Sequence, residues 1–154
     1  MDYYTTDQRL MFWLTKGEKM DNKKKILLVE DEAIIRRVHN IFLSEMGYKV
    51  ETADSGKQTL ELCNNNFYDL IILDGSLPDM KGVELGKKIR NLERKSQVKV
   101  RKSILLLSAY SAELLGEWCK EAEIDSFLVK PIRYDDLFFI LEDYFAKGSF
   151  SRAA

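Results

Sequence analysis

A chain of 154 residues, 45% hydrophobic and 32% charged, has the size of one ordinary globular domain and is too short for two of typical size. Its formal net charge of -1 gives no overall attraction to nucleic acid or to an anionic membrane, and no apolar run approaches the roughly 18 residues of a membrane-spanning helix. The two cysteines, Cys63 and Cys119, form no CxxC pair, which argues against a zinc site or a disulfide framework and for reduced thiols in a soluble, cytoplasmic protein.

Residues 1–23 carry neither a strand pattern nor a clean amphipathic period, and are expected as an appendage, poorly ordered or a short helix near Gln8 to Leu14. The apolar stretch Leu10 to Leu14 is shorter than a signal-peptide core and no A-x-A pattern follows it. From residue 24 to 146, short β-branched or leucine-rich runs alternate with longer segments of helical period, the pattern of βα units around a parallel sheet. Ile26 to Glu30 is the first strand, and Ile34, Val38, Ile41, Phe42 and Met46 make the apolar stripe of the helix after it. Lys49 to Thr52 is the second strand. The helix that follows, about Ser55 to Asn65, has few apolar positions, but Ser55 suits an N-cap and Asn64 to Asn66 a stop.

Leu70 to Asp74 is the third strand, followed by Leu85, Ile89 and Leu92 at helical spacing; Ser103 to Ser108 is the fourth, followed by Leu115, Cys119 and Ala122. Ser126 to Lys130 is the fifth, with Leu137, Ile140, Leu141 and Tyr144 on the last helix and a frayed tail over 147–154. Three of the strands are nearly continuous apolar runs, as strands covered by helices on both faces require. There is no internal repeat.

In open parallel sheets, sites form beyond the carboxyl ends of the strands. Here those ends bring Glu30, Asp31 and Glu32, then Asp74, Ser108 and Lys130 followed by Pro131. A nucleotide site would need a glycine-rich loop after the first strand, where this chain has three carboxylates, and Gly56-Lys57 lacks the upstream glycine of a P-loop. Carboxylates gathered on one rim repel one another unless a hard, oxygen-preferring cation holds them, which points to Mg²⁺. Asp74 is then a candidate nucleophile toward phosphorus, with Lys130 and the Ser108 hydroxyl partnering the phosphoryl oxygens.

These residues carry a resemblance. Ile26-Leu27-Leu28-Val29-Glu30-Asp31-Glu32, Leu70-Ile71-Ile72-Leu73-Asp74-Gly75-Ser76-Leu77-Pro78-Asp79-Met80, Leu107-Ser108-Ala109 and Phe127-Leu128-Val129-Lys130-Pro131 resemble, in order and spacing, the motifs of response-regulator receiver domains. The resemblance implies a flavodoxin-like (βα)5 fold, a five-stranded parallel sheet of order 2-1-3-4-5 with helices on both faces. It implies that Asp74 accepts a phosphoryl group from a histidine kinase or histidine phosphotransfer protein, that Asp31 and Asp74 bind Mg²⁺ directly with Glu30 helping through water, and that the Ser76 carbonyl completes the ligands. It further implies that Ser108 moves toward the phosphate, that Lys130 is its charge partner before a cis bond to Pro131, and that Phe127 is a rotating aromatic. Phe127 lacks the hydroxyl of the tyrosine often found there, and Glu123-Ile124 replaces a glycine-containing turn before the fifth strand.

Other features read as structural. Glu32 opens the first helix and favours its positive end, and the lone histidine, His39, is expected in packing or at the surface. Leu114 and Trp118, one position off their helix stripe, either broaden the buried face or present an apolar patch to a partner. Lys87 to Lys102 holds eight basic residues against one acidic residue, expected as a solvated helix face and loop rather than a nucleic-acid site. Nothing resembling a DNA-reading module follows Phe145. The expectation is a switch that binds a downstream protein target, not an enzyme; alternatives are the receiver piece of a hybrid histidine kinase and a Mg²⁺-dependent aspartyl-phosphate phosphohydrolase. The latter would carry a second aspartate two positions past the nucleophile, where Ser76 stands.

Overall fold

The computed structural model describes residues 23–97 and 100–151. The chain runs β1 (Lys25–Val29), α1 (Ala33–Glu45), β2 (Lys49–Ala53), α2 (Gly56–Asn65), β3 (Leu70–Asp74), α3 (Gly82–Lys95), β4 (Ser103–Ser108), α4 (Ala112–Ala122), β5 (Ser126–Val129) and α5 (Tyr134–Lys147). All strand pairs are parallel, in the order β2-β1-β3-β4-β5. The expected α/β sheet order is therefore the one observed. The expected helix at Gln8 to Leu14 and the cut at residue 23 fall on or beside residues outside those described.

Alternation along the strands divides the core between two faces. Leu27, Val29, Ile71, Leu73, Ile104 and Leu106 meet α2, α3 and α4 on one side, whereas Ile26, Leu28, Leu70, Ile72, Leu105 and Leu107 meet α1 and α5 on the other. Because β3 is central and wholly buried, Asp74 at its end is carried into the middle of the rim. Glu30 and Lys130, expected as last strand residues, lie one past the strands but remain bonded to neighbours, Glu30 N–H to the Ala53 carbonyl at 3.0 Å and Lys130 N–H to the Ser108 carbonyl at 2.7 Å.

The first helix corrects its expected stripe. Ile34, Val38 and Ile41 are exposed by 80, 40 and 49%, while His39 and Leu43 are buried and Phe42 and Met46 pack beside them. The physical reason is that α1 carries apolar residues on two adjoining stripes, so periodicity alone cannot choose the phase that the exit of β1 imposes. Burial holds the His39 pKa below its ordinary value, with Lys130 adding to the effect and Asp74 opposing it.

Elsewhere the expected faces are the buried ones. Leu85, Ile89, Leu115, Cys119, Ala122, Leu137, Leu141 and Tyr144 are buried; Leu114 is exposed, and Trp118 widens the covered face of α4, edge-on to Tyr110 at 4.9 Å. Burial pushes the Cys63 thiol up to about 12 and the Cys119 thiol up to about 11. Ser55 caps α2 by accepting from Gln58 N–H at 3.1 Å, and the Asp79 carboxylate accepts from Gly56 and Lys57 N–H at 2.8 and 2.9 Å. The first turn of α2 is thereby tied to the loop after β3. At the other end of the chain, Gly148 closes α5 at φ 75° and the Phe150 ring stacks on Tyr144 at 4.3 Å.

The turn before β5 is made by Glu123 itself, at φ 57° and ψ 37°. A left-handed non-glycine residue costs roughly 1–2 kcal/mol. The offset comes from arginines: the Glu123 carbonyl accepts from Arg90 at 3.0 Å and Arg101 at 3.3 Å, and its carboxylate meets Arg94 at 2.5 Å. Arg90, 3% exposed, also bonds the Glu93 and Asp125 carboxylates and the Lys102 carbonyl, while Asp125 accepts from Ile104 N–H at 2.7 Å. Part of the basic run is thus spent on an ion network at the amino-terminal end of β4, away from the acidic rim.

Replacing Arg90 by Met is expected to lower stability by about 3 kcal/mol, because Glu93 and Asp125 lose the cation they were folded around. Urea unfolding with an unchanged slope reads this as a shift in midpoint, and a shift worth less than about 1 kcal/mol contradicts it.

Candidate functional site

Four strand ends converge at the rim. β1 delivers Glu30 and Asp31, β3 delivers Asp74, β4 delivers Ser108, and the segment after β5 delivers Lys130, which is joined to Pro131 by a cis peptide bond. Carboxylate oxygens of Glu30, Asp31 and Asp74 lie within 4.8 Å of one another. Glu30, Asp74 and Ser108 are buried and Asp31 is exposed. The Lys130 ammonium sits 2.7 Å from Asp74 Oδ1, and the same oxygen accepts from Ser76 N–H at 3.3 Å.

The electrostatics follow from crowding like charges where water is scarce. Glu30 is pushed up to about 7, first by burial and then by the negative charge of Asp74, with Lys130 and the Glu32 N–H acting against the rise. Burial pulls Lys130 down, but its hydrogen bond and charge contact with Asp74, joined by Glu30 and Glu32, outweigh burial and hold it above the ordinary lysine value. One ammonium is therefore shared by a rim with three carboxylates. The set is rich in hard oxygen donors and short of positive charge, which suits a divalent cation.

The backbone around these groups is braced. Arg36 donates to the carbonyls of Glu30 at 2.9 Å and Asp31 at 3.3 Å, fixing the turn that presents both carboxylates. The loop after β3 is closed by a Ser76 to Lys81 bridge and by Gly82 N–H donating to the Gly75 carbonyl at 3.0 Å. Gly82 is required by close approach, since a Cβ there would collide with the Asp74 carbonyl oxygen. Ser108 Oγ accepts from Tyr110 N–H at 3.4 Å, and no hydrogen bond to Asp74 is among its described contacts.

Of the residues expected at the site, Glu30, Asp31, Asp74, Ser108 and Lys130 come together, with Ser76 in the adjoining loop. Phe127, expected as the rotating aromatic, lies on β5, pairs with Leu106 in register and packs, half-buried, on the α2–α4 side of the sheet. Glu32 stands at the N-cap of α1 with no side-chain cap bond, and its N–H donates to the Glu30 carboxylate at 3.3 Å. Sequence reasoning missed Arg36, Asp79 and Gly82. Only Gly82 left a trace in the sequence, as a glycine opening a helix where no turn needs one.

The raised Glu30 pKa makes stability depend on pH. The unfolded carboxyl titrates near its ordinary 4.5 and the folded one near 7, so the stabilisation from the protonated form is full below the lower value and lost as pH rises through the upper one. His39, held below its ordinary value, acts in the opposite sense, losing its contribution as pH falls. Comparison with Glu30→Gln cancels the histidine. In chelator-treated buffer, the melting temperature of the variant is expected to gain on wild type between about pH 5 and pH 8. A difference that stays flat over that range contradicts the assignment.

With the geometry in hand, comparison with known proteins is specific. The family model for the response regulator receiver domain matches residues 26–142. "Hybrid signal transduction histidine kinase F" of Dictyostelium discoideum is 32% identical over 122 residues, covering 79% of this chain and 11% of the relative. "Transcriptional regulatory protein ResD" of Bacillus subtilis is 34% identical over 110 residues, covering 71% of this chain and 43% of the relative. The chain thus spans less than half the length of either curated relative. Among solved structures, the receiver domain of sensor histidine kinase PA1611 from Pseudomonas aeruginosa PAO1, with a magnesium ion coordinated in its active site cleft, superposes with a TM-score of 0.68 at 27% identity, over 80% of this chain and 98% of that one. The chain belongs to the response regulator receiver domain family of two-component signalling.

Proposed function

We propose that Asp74 is the phosphoacceptor of this receiver, and that Glu30, Asp31, Asp74 and the Ser76 carbonyl are the groups that would hold Mg²⁺. The observation that carries this reading is the approach of three carboxylates to within 4.8 Å, with an ammonium 2.7 Å from Asp74. Bound there, the cation would offset the charge on the phosphoryl oxygens. An Asp74 carboxylate oxygen attacks phosphorus, the P–N bond to the donor imidazole breaks, and the bonding electron pair leaves with that imidazole. Lys130 stays beside Asp74 throughout and moves its charge contact to the phosphoryl oxygens, and the Ser108 hydroxyl donates to the same group.

A protein donor that reaches Asp74 must cover what stands next to it. Ile34, Ile35, Val38, His39, Lys130, Pro131 and Ile132 line a cavity of about 440 Å³ on that flank, with Ile34 and Val38 exposed. This apolar edge suits a helix of a histidine kinase or histidine phosphotransfer protein. On the opposite flank, the surface around Ser108, Trp118 and Phe127 is the face offered to a downstream protein target, and Phe127 the aromatic that turns with the switch. The functional unit spans 24–146, with 1–23 as an appendage and 147–154 as a tail. Among the described residues no helix is long and apolar enough to cross a membrane, and a cytoplasmic receiver matches that. A receiver within a longer response regulator and a receiver within a hybrid kinase fit the two kinds of relative named above, and a stand-alone regulator is the third form this unit could take.

Intact mass after incubation with Mg²⁺ and a small phosphodonor is expected to show one labile phosphoryl adduct in wild type and none in Asp74→Ala. Turnover of many equivalents would instead favour the phosphohydrolase reading, and no adduct in either chain would sink both. For the donor surface, Ile34→Glu is expected to slow transfer from a phosphorylated histidine phosphotransfer protein by about tenfold or more, scaled to the small-donor rate of the same variant, since burying an isoleucine contributes roughly 1.5–3 kcal/mol. An unchanged ratio removes α1 from the docking face.

A further inference from the structure

Between β3 and α3 the chain makes a turn that is closed on itself. Ser76 bridges Lys81, Leu77 N–H donates to the Met80 carbonyl at 3.2 Å, and Gly82 N–H donates to the Gly75 carbonyl at 3.0 Å. A turn bonded in this way moves as one piece, so the direction of its tip sets that of the Ser76 carbonyl. Its root is fixed by Gly75 N–H donating to the Leu107 carbonyl at 2.7 Å and by the buried Leu77 side chain. The tip, Pro78 and Asp79, is exposed and is held from another element, α2.

Two contacts make that hold. The Asp79 carboxylate spans the first turn of α2, one oxygen accepting from Gly56 N–H at 2.8 Å and the other from Lys57 N–H at 2.9 Å. Helix-start amides have no partner within their own helix, and these two, Gly56 first, hold the Asp79 carboxyl below its ordinary pKa, so the bonds are charge-assisted. Beside them Met80 lies where Gly56 has no side chain: a Cβ on Gly56 would stand 2.6 Å from Met80 Sδ. Two neighbouring residues of the turn thus rest on one spot of α2, with Gly56 lying 23 residues before Asp79 in the chain. We propose that Asp79 is a positioning residue for the divalent cation: by tying the turn to α2 it sets in advance the direction from which the Ser76 carbonyl meets the ion. The inference rests on the reading of Glu30, Asp31, Asp74 and the Ser76 carbonyl as the metal-holding groups. Mg²⁺ demands near-ideal octahedral geometry, so a ligand oxygen on a turn free to tilt lowers the affinity. Helix α2, which supplies none of the rim side chains described above, thereby takes part in the site.

Urea unfolding of the full chain at constant ionic strength, in chelator and at a series of Mg²⁺ concentrations, yields both the stability without metal and the Mg²⁺ dissociation constant from the gain. Asp79→Ala is expected to bind Mg²⁺ about three- to tenfold more weakly than wild type. Asp79→Asn, which keeps an acceptor oxygen and is an equally good helix cap, is expected to stay within about twofold of wild type. Adduct formation from a small phosphodonor should be slower in Asp79→Ala at low Mg²⁺ and return to the wild-type rate at saturating Mg²⁺, because the substitution acts through the affinity for the ion. A merely structural role lowers the stability in chelator and leaves the dissociation constant unmoved, and that result overturns the proposal. Equal weakening in Asp79→Asn also overturns it, by assigning the effect to charge instead of to the tie. Should Asp79→Ala fail to fold, Asp79→Ser, whose single oxygen cannot span both amides, carries the same comparison. A wild type that gains nothing from Mg²⁺ removes the metal reading and this inference together, whereas a gain shared unchanged by Asp79→Ala removes this inference alone.

Discussion

The molecule is organised around an unfavourable contact: carboxylates of Glu30, Asp31 and Asp74 held within 4.8 Å of one another, two of them out of water, with a single ammonium among them. Left alone, such a group would spread apart or take up protons, and Glu30 is pushed toward protonation for that reason. Two covered faces of a parallel sheet hold it in place. The apolar residues of β1, β3 and β4 leave the strand ends no freedom to splay, and Arg36 pins the turn after β1 through two carbonyls. Stability of the core is thus converted into charge density at one rim, which is what a site for a cation and a phosphoryl group requires.

The opposite end of the sheet shows the complementary solution. There Arg90 is as buried as Glu30 and Asp74, yet Arg90, Arg94 and Arg101 meet the carboxylates of Glu93, Asp125 and Glu123, three cations against three anions, so the charges are matched. That network lets a glutamate occupy a left-handed turn where glycine would be easier. The two ends differ in function because they differ in balance: pairing at one leaves nothing to recruit, and the deficit at the other invites a ligand.

Much of this could be read from the residues alone, and the exceptions share a cause. Glu30, Asp31, Asp74, Ser108 and Lys130 were legible because strand ends in a parallel sheet have a shared destination, so local runs sufficed to place them. The phase of α1 was not, since Ile34 and Val38 on one stripe compete with His39 and Leu43 on the next, and only the approach of the sheet decides between them. Arg90 reads as one cation in a basic run; its partners at Glu123 and Asp125 lie more than thirty residues away and are joined to it only by folding. Asp79 likewise reads as a loop residue, though it caps a helix that precedes it in the chain. Long-range polar pairing leaves no period in a sequence, whereas burial does.

The two cysteines bear on how motion in this receiver can be followed. Cys63 lies on α2 and Cys119 on α4, one on each side of α3, and both thiols are buried and held in the protonated form near neutral pH. Neither can react with an alkylating reagent until its own helix lifts from the sheet. The chain therefore carries, without any engineering, a separate chemical clock for the opening of each of two helices, and labelling rates would reveal whether a change at the rim loosens one layer edge, the other, or both.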